Sequence, residues 1–409
     1  MNNKENIICH TLANGLRLVH VHRNSPVAWC GLAVNAGSRD ELVGQYGLAH
    51  FVEHTIFKGT KRRTSTRINN RMEQVGGELN AYTTKESTML YCIFPVEHLE
   101  RAMELIADLV ENSLFPEHEI ATELDVVLEE VSSYLDSPSE AIYDDFEDML
   151  LAGSQLGHNI LGEEKDLRRL TSGHCLDWLK RLYVPSNMVF FSLGNTSAGK
   201  VFRLAEKYFG ILSHTKKGIK RKAPIAVEPQ RKMVDMGLHQ SHTIVGARVA
   251  GMYDDQRFAF SLLNNILGGP GMNSLLNVSL REKRGLVYTV ESSLVSFTDS
   301  GMIQIYLGCE HDKLKKALKL IGNTIDSLAQ TPLSERRLDA YKQQYCGQML
   351  IASDNAEVTA MAAGRGLLYY NAVSTLQESI DCILGVTPVQ LQQAAQQLAI
   401  DKCSILTFK

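Results

Sequence analysis

Three residues, His50, Glu53 and His54, carry the first chemistry legible in this chain. They fall in the run His50-Phe51-Val52-Glu53-His54, an H-x-x-E-H pattern. Residues three and four apart share one face of an α-helix, roughly 5–6 Å apart at Cβ. On a helix, all three side chains would enter one pocket. Two neutral imidazoles make good zinc ligands, and a catalytic zinc keeps three protein ligands and a position open to water. A carboxylate beside that water can take its proton. The plain alternative is a chance pair of histidines on a partly buried helix.

The flanks support a helix. Leu48, Phe51, Val52 and Ile56 recur at helical spacing, so one side can be buried. Lys58-Gly59-Thr60 supplies a cation and a glycine at the expected stop. A third donor is available downstream in Glu123-Leu124-Asp125-Val126-Val127-Leu128-Glu129-Glu130, a long helical stretch. Glu123 and Glu130 are two turns apart and share a face. Val126, Val127 and Leu128 mark part of this helix as buried, where an unpaired carboxylate is costly. A metal would supply the partner; a solvated acidic face is the competing reading.

The elements around these residues form an internal repeat. Thr88–Phe94 reads as a strand, and Glu97-His98-Leu99-Glu100-Arg101-Ala102 opens a helix. The order returns 215 residues later, with Ile303–Leu307 as strand and Asp312-Lys313-Leu314-Lys315-Lys316-Ala317 opening a helix. So long a period marks a duplicated domain rather than a solenoid. Asn14-Gly15 is a hairpin signal between two strand-like runs. His20 and His22, on alternate positions of the second run, read as strand-face residues rather than ligands. The basic stretch from His214 to Pro224 reads as a solvated linker. Strands followed by long helices predict α+β domains with helices packed on one face of a mainly antiparallel sheet.

Composition sets outer limits. The 409 residues suggest two or three domains. Hydrophobic content of 44% and charged content of 22% suit a globular enzyme with a sizeable core. A net charge of −4 gives no argument for nucleic acid. The eight cysteines include no C-x-x-C and predict buried free thiols in the cytoplasm or another reducing compartment. The N-terminal residues show no signal-peptide h-region, and no run of about 20 apolar residues predicts a membrane span.

Taken with its other motifs, the chain resembles the pitrilysin/insulinase family of zinc metallopeptidases, the inverzincins, and most of all its short mitochondrial-processing-peptidase-like branch. Glu130 stands 76 residues after His54, the family's interval to its glutamate ligand, and Glu123 matches the family's glutamate seven residues earlier. Gly76-Gly77-Glu78-Leu79-Asn80-Ala81-Tyr82-Thr83 matches the segment leading into a strand beside the active site. Gly157-His158-Asn159-Ile160-Leu161-Gly162 matches another motif, with Asn159 where the family has proline. Tyr183-Val184-Pro185-Ser186-Asn187-Met188 and Arg281-Glu282-Lys283-Arg284-Gly285-Leu286-Val287-Tyr288 complete the series in the family's order.

The resemblance implies two homologous domains forming half of a clamshell chamber: a catalytic zinc domain over 1–213, a linker over 214–226, and an inactive domain over 227–409 that contributes substrate-binding residues. It implies His50, His54 and Glu130 as ligands of one Zn2+ per chain. Glu129 competes for the third place, but spacing favours Glu130. Glu53 is then the general base and Glu123 supports the site. The repeat's counterpart of the zinc helix, Phe260–Leu267, has no histidine pair, and Gly268-Gly269-Pro270-Gly271 after it departs from the family's all-glycine pattern. Arg281 and Tyr288 are implied to bind substrate and hold the oxyanion. Asn80 and Ala81 are implied to lie on the edge that receives an extended substrate strand. The implied activity is endoproteolysis of short or unfolded peptides. A two-domain chain implies a homodimer, or a heterodimer with a metal-free sister chain. The alternatives within the family are a catalytically silent scaffold subunit and one subunit of a heteromeric processing peptidase.

Overall fold

The computed structural model describes residues 6–213 and 220–409. Each sequence half folds around its own sheet. The first sheet holds β1 (Ile7–Thr11), β2 (Arg17–His22), β3 (Val27–Val34), β4 (Glu78–Thr83), β5 (Thr88–Pro95) and β6 (Met188–Gly194). Their order is β1-β2-β6-β3-β5-β4, antiparallel except for β2 with β6. The second sheet holds β7 (Arg231–Val234), β8 (Ser241–Val249), β9 (Thr289–Ser296), β10 (Gly301–Cys309) and β11 (Ser404–Phe408). Its order is β7-β11-β8-β10-β9, antiparallel except for β7 with β11. The hairpin at Asn14-Gly15 forms as expected, with Gly15 in the left-handed region at φ +88°. His20 is a strand-face residue. Its ring nitrogens face the Ser192 hydroxyl and the Thr196 carbonyl, and burial pulls its pKa down to about 4.

The helices around the first sheet include α1 (Leu48–Thr55), α2 (Ser65–Glu73), α3 (Leu99–Asn112) and α4 (Glu117–Leu135); α5 (Pro138–Leu150) follows. Contacts divide the chain into two compact units. The first comprises Met1–Ser132, His158–Arg221 and Ile351–Gln377; the second comprises Ser133–Gly157, Lys222–Leu350 and Glu378–Lys409. Each unit thus includes a segment from the other sequence half.

In the first unit, α1, α3 and the helices Ser172–Leu182 and Ala198–Phe209 bury one sheet face around Phe51, Val52, Leu105, Trp178 and Phe190. The opposite face, with Val19, Val189 and Phe191, is covered by Ala360, Ala363 and Leu367 of the helix Ala356–Tyr370. Gly364 allows this approach, since a Cβ there would lie 2.8 Å from the Phe191 ring. In the second unit, one face packs the helices Arg257–Gly268, Leu314–Gln330 and Pro388–Gln397. The other packs Ile142 and Phe146 of α5 against Ile244 and Leu406. The helices expected on one face are present, and each remaining face takes a helix supplied by the other half. The reason is visible in β6, where Phe190 and Phe191 point to opposite faces and both are fully buried. A strand apolar on both sides needs cover on both.

Other expectations need adjustment. All eight cysteines are free, but Cys9 and Cys382 are exposed and Cys346 is intermediate; only five are buried. Much of the expected linker, His214–Ile219, lies outside the described residues. Arg221 is not solvated: its guanidinium donates to both Asp40 carboxylate oxygens, at 2.9 and 2.7 Å. Among the described residues, no helix is long and apolar enough to cross a membrane.

Candidate metal centre

α1 exists because its two sides differ. Leu48, Phe51 and Val52 are fully buried in the core of the first unit, while His50, Glu53 and His54 fall on the other side. Its last turn closes ahead of Lys58, with the Ile56 amide donating to the Val52 carbonyl at 2.9 Å. α4 runs past it with Ile120 and Val127 buried and Leu124, Leu128 and Val131 partly so. That seam carries Glu123 and Glu130 on the side facing α1. Val126, expected inside, is 46% exposed, because it lies off the seam.

His50, His54 and Glu130 come together. The Nε2 atoms of the two histidines are 3.1 Å apart. Glu130 Oε2 lies 3.3 Å from His54 Nε2 and 3.8 Å from His50 Nε2. Among the described residues these three form the one group of histidine, cysteine and carboxylate atoms able to hold a metal ion. Glu129 is not in it.

The donor set fits zinc on two counts. Tetrahedral zinc with bonds near 2.0–2.1 Å separates its ligand atoms by about 3.3–3.4 Å, and the observed separations straddle that value. The protonation pattern also fits. A carboxylate only accepts, so the 3.1 Å contact between His54 Nδ1 and Glu123 Oε1 places a proton on Nδ1 and turns Nε2 toward His50 and Glu130. Burial, then the neighbouring His54, pulls the His50 pKa down to about 4, so this imidazole is neutral at pH 7. His50 Nδ1 is buried without a hydrogen-bond partner. Two imidazoles and a carboxylate converging on one point suit a divalent cation.

Glu53 stands beside the group without joining it. Burial pushes its carboxyl above the usual range; Thr83 and then His54 oppose the rise, and Glu130 adds to it. Glu123 is 9% exposed and is held from its other oxygen by Lys58 Nζ at 2.5 Å. A relay runs from Lys58 through Glu123 to His54 Nδ1. Glu53, His54, Phe57, Lys58, Ser65, Asn69 and Glu123 line a cleft of about 270 Å³ against this relay. Lys58, read from the sequence only as a helix stop, is a member of the site. No pattern signalled it, since α1 and α4 meet only in the folded chain.

Asn80 and Ala81 lie on β4, which among the described residues pairs with β5 alone and so forms the sheet edge. Thr83, at the end of that strand, is the residue beside Glu53. Arg281 and Tyr288 belong to the second unit. Arg281 is exposed at the end of the π-helical turn Asn277–Glu282. Tyr288 is 54% exposed, and its hydroxyl donates to Glu310 at 3.1 Å. That carboxylate raises the phenol pKa.

Comparison with known proteins decides the family. An uncharacterized zinc protease of Mycobacterium bovis is 31% identical over 399 residues, covering 95% of this chain and 90% of its own. The chain belongs to the insulinase family, peptidase family M16. The family model described as insulinase matches residues 17–164 and contains the metal group, and the one described as the peptidase M16 inactive domain matches 169–345. Another relative, the uncharacterized zinc protease YmxG of Bacillus subtilis, is 29% identical, covering 95% of both chains. A protease structure from Helicobacter pylori superposes with a TM-score of 0.91 at 22% identity, covering 98% of this chain and 99% of its own. A structure described as a peptidase M16 inactive domain, from Pseudomonas fluorescens, also gives 0.91, at 21% identity and 98% and 97% coverage. Both share the fold of this chain.

Proposed function

We propose that this M16 chain is a zinc-dependent endopeptidase that hydrolyses short or unfolded peptides. The observation that carries this reading is the convergence of His50, His54 and Glu130, with Glu53 beside them but outside the donor set. Held by those three residues, zinc would supply Lewis-acid polarisation and ease the ionisation of water. Glu53 accepts the proton of the attacking water and returns it to the leaving amine. Glu123 keeps the His54 proton on Nδ1, and Lys58 balances the charge of Glu123. An extended peptide adds to the free edge of β4 at Asn80 and Ala81, which binds backbone with little demand on sequence. Arg281 and Tyr288 present exposed donors suited to the oxyanion. In this reading they act on the site of a second copy in a homodimer.

The silent-scaffold alternative gains no support, because donors and base are all present. The test is cleavage of unstructured quenched-fluorescent peptides by zinc-loaded protein. Chelator-sensitive turnover that disappears in Glu53→Gln is the expected result. One bound zinc per chain without turnover would refute an autonomous peptidase and point to a required sister subunit.

A further inference from the structure

Glu41 is a buried carboxylate that the chemistry above does not use. Its side chain is fully buried and accepts three hydrogen bonds. Oε1 accepts from the Ala49 amide at 2.7 Å and Oε2 from the Gly47 amide at 3.0 Å. Oε2 also lies 3.0 Å from His158 Nε2, which is itself 3.0 Å from the Ser38 carbonyl. Both neighbours of that nitrogen are acceptors, so Nε2 carries a proton. The His158 ring stacks on Tyr46 at 4.1 Å, and Lys85 Nζ donates to the His158 carbonyl at 2.7 Å. The backbones interlock as well. A Cβ on Gly47 would meet the Leu161 carbonyl at 2.7 Å, and one on Gly162 would meet the Tyr46 carbonyl at 2.3 Å.

Glu41 thus takes up the Gly47 and Ala49 amides at the start of α1, where a helix offers no intrahelical acceptor; the Leu48 amide between them donates to the Gln45 carbonyl at 3.2 Å. α1 has eight residues, and an isolated helix that short is unstable in water. Its placement therefore depends on what holds its ends and its apolar side. Gly47 lies three residues before His50 and Ala49 directly before it, and His54 follows one turn later.

The geometry points to Glu41 and His158 as positioning residues of the metal centre, fixing the first turn of α1 and with it the separation of His50 Nε2 from His54 Nε2 and Glu130 Oε2. This rests on the metal reading of that group. With the grip loosened, the first turn of α1 frays, and metal binding must then order it. Affinity falls although no ligand has changed. Residues that orient ligands typically contribute about 10–100-fold to metal affinity.

The adjacent pair provides a control. Arg221 and Asp40 form a buried ion pair one residue from Glu41, and the Arg221 guanidinium donates to Asp40 and the Glu86 carbonyl rather than, among the described residues, to α1. The experiment uses the full chain, stripped of metal and titrated with zinc against a chromophoric chelator. Visible spectra of the cobalt-substituted protein and melting of the metal-free protein are recorded in parallel. The variants are Glu41→Gln, His158→Gln, the double variant and Arg221→Met. Glu41→Gln retains one acceptor oxygen and is the mildest of them. The expected result is roughly 10–100-fold weaker zinc binding in Glu41→Gln and His158→Gln, with an altered cobalt spectrum. The double variant should lose less than the product of the two, because the residues act through one contact. Arg221→Met should melt lower yet bind zinc as wild type does. Equal zinc affinity in wild type, Glu41→Gln and His158→Gln would overturn the inference, as would an equal loss in Arg221→Met. A wild-type chain that binds no zinc would instead overturn the functional reading beneath it.

Discussion

Replacing Glu53 with glutamine removes a base and little else. The amide is nearly isosteric with the carboxylate, and Glu53 lies outside the donor set of His50, His54 and Glu130. Zinc content should therefore persist while turnover falls. A positioned general base contributes typically 10²–10⁴-fold, or about 2.7–5.5 kcal/mol of barrier. The assay is kcat/KM on an unstructured fluorogenic peptide, with metal content measured on the same preparation. Wild-type turnover in a zinc-replete Glu53→Gln protein would refute the role. pH gives a second reading. In the metal-free site, burial raises the Glu53 pKa above the usual carboxylate range. In metal-free protein, a raised folded-state pKa contributes stability that is fully present below the unfolded pKa and lost as pH rises through the folded one. Glutamine cannot titrate. Wild type should therefore lose melting temperature relative to Glu53→Gln across that rise, and the gap should close in acid. A gap that widens in acid would contradict the burial argument.

Glu130→Gln should release zinc at chelator concentrations that wild type withstands, because a carboxamide is a poor replacement for an anionic ligand; metal analysis after dialysis reads this. Lys58→Met leaves Glu123, only 9% exposed, facing His54 alone, and should cost about 1–3 kcal/mol in urea denaturation of the metal-free protein. Gly47→Ala forces a side chain into φ +93° and within 2.7 Å of the Leu161 carbonyl; backbone strain alone is worth about 1–2 kcal/mol, and the loss should be visible in the thermal midpoint. Mixing Glu53→Gln chains with Arg281→Ala chains should restore some activity if Arg281 serves the partner's site; no recovery in verified heterodimers would count against that arrangement.

The sequence by itself determined the local features. Period and caps marked α1, the Asn14-Gly15 turn marked a hairpin, and the spacing of His50, Glu53 and His54 placed them on one helical face, because each depends on residues within a few positions of one another. It also placed Glu123 and Glu130 on a shared helix face. Only the tertiary structure decided what those faces meet. It brought Glu130 Oε2 to 3.3 Å from His54 Nε2, turned Lys58 from a helix stop into the partner of Glu123, and left Val126 outside. The charged run Arg39-Asp40-Glu41 looks like surface in one dimension, yet these residues pair with Glu86, Arg221 and His158 in the interior. The helix Ala356–Tyr370 covers a sheet formed by residues far earlier in the chain. Periodicity shows that a face is apolar and a charge shows that a partner is needed, but the partner is chosen by long-range packing, which has no local signature.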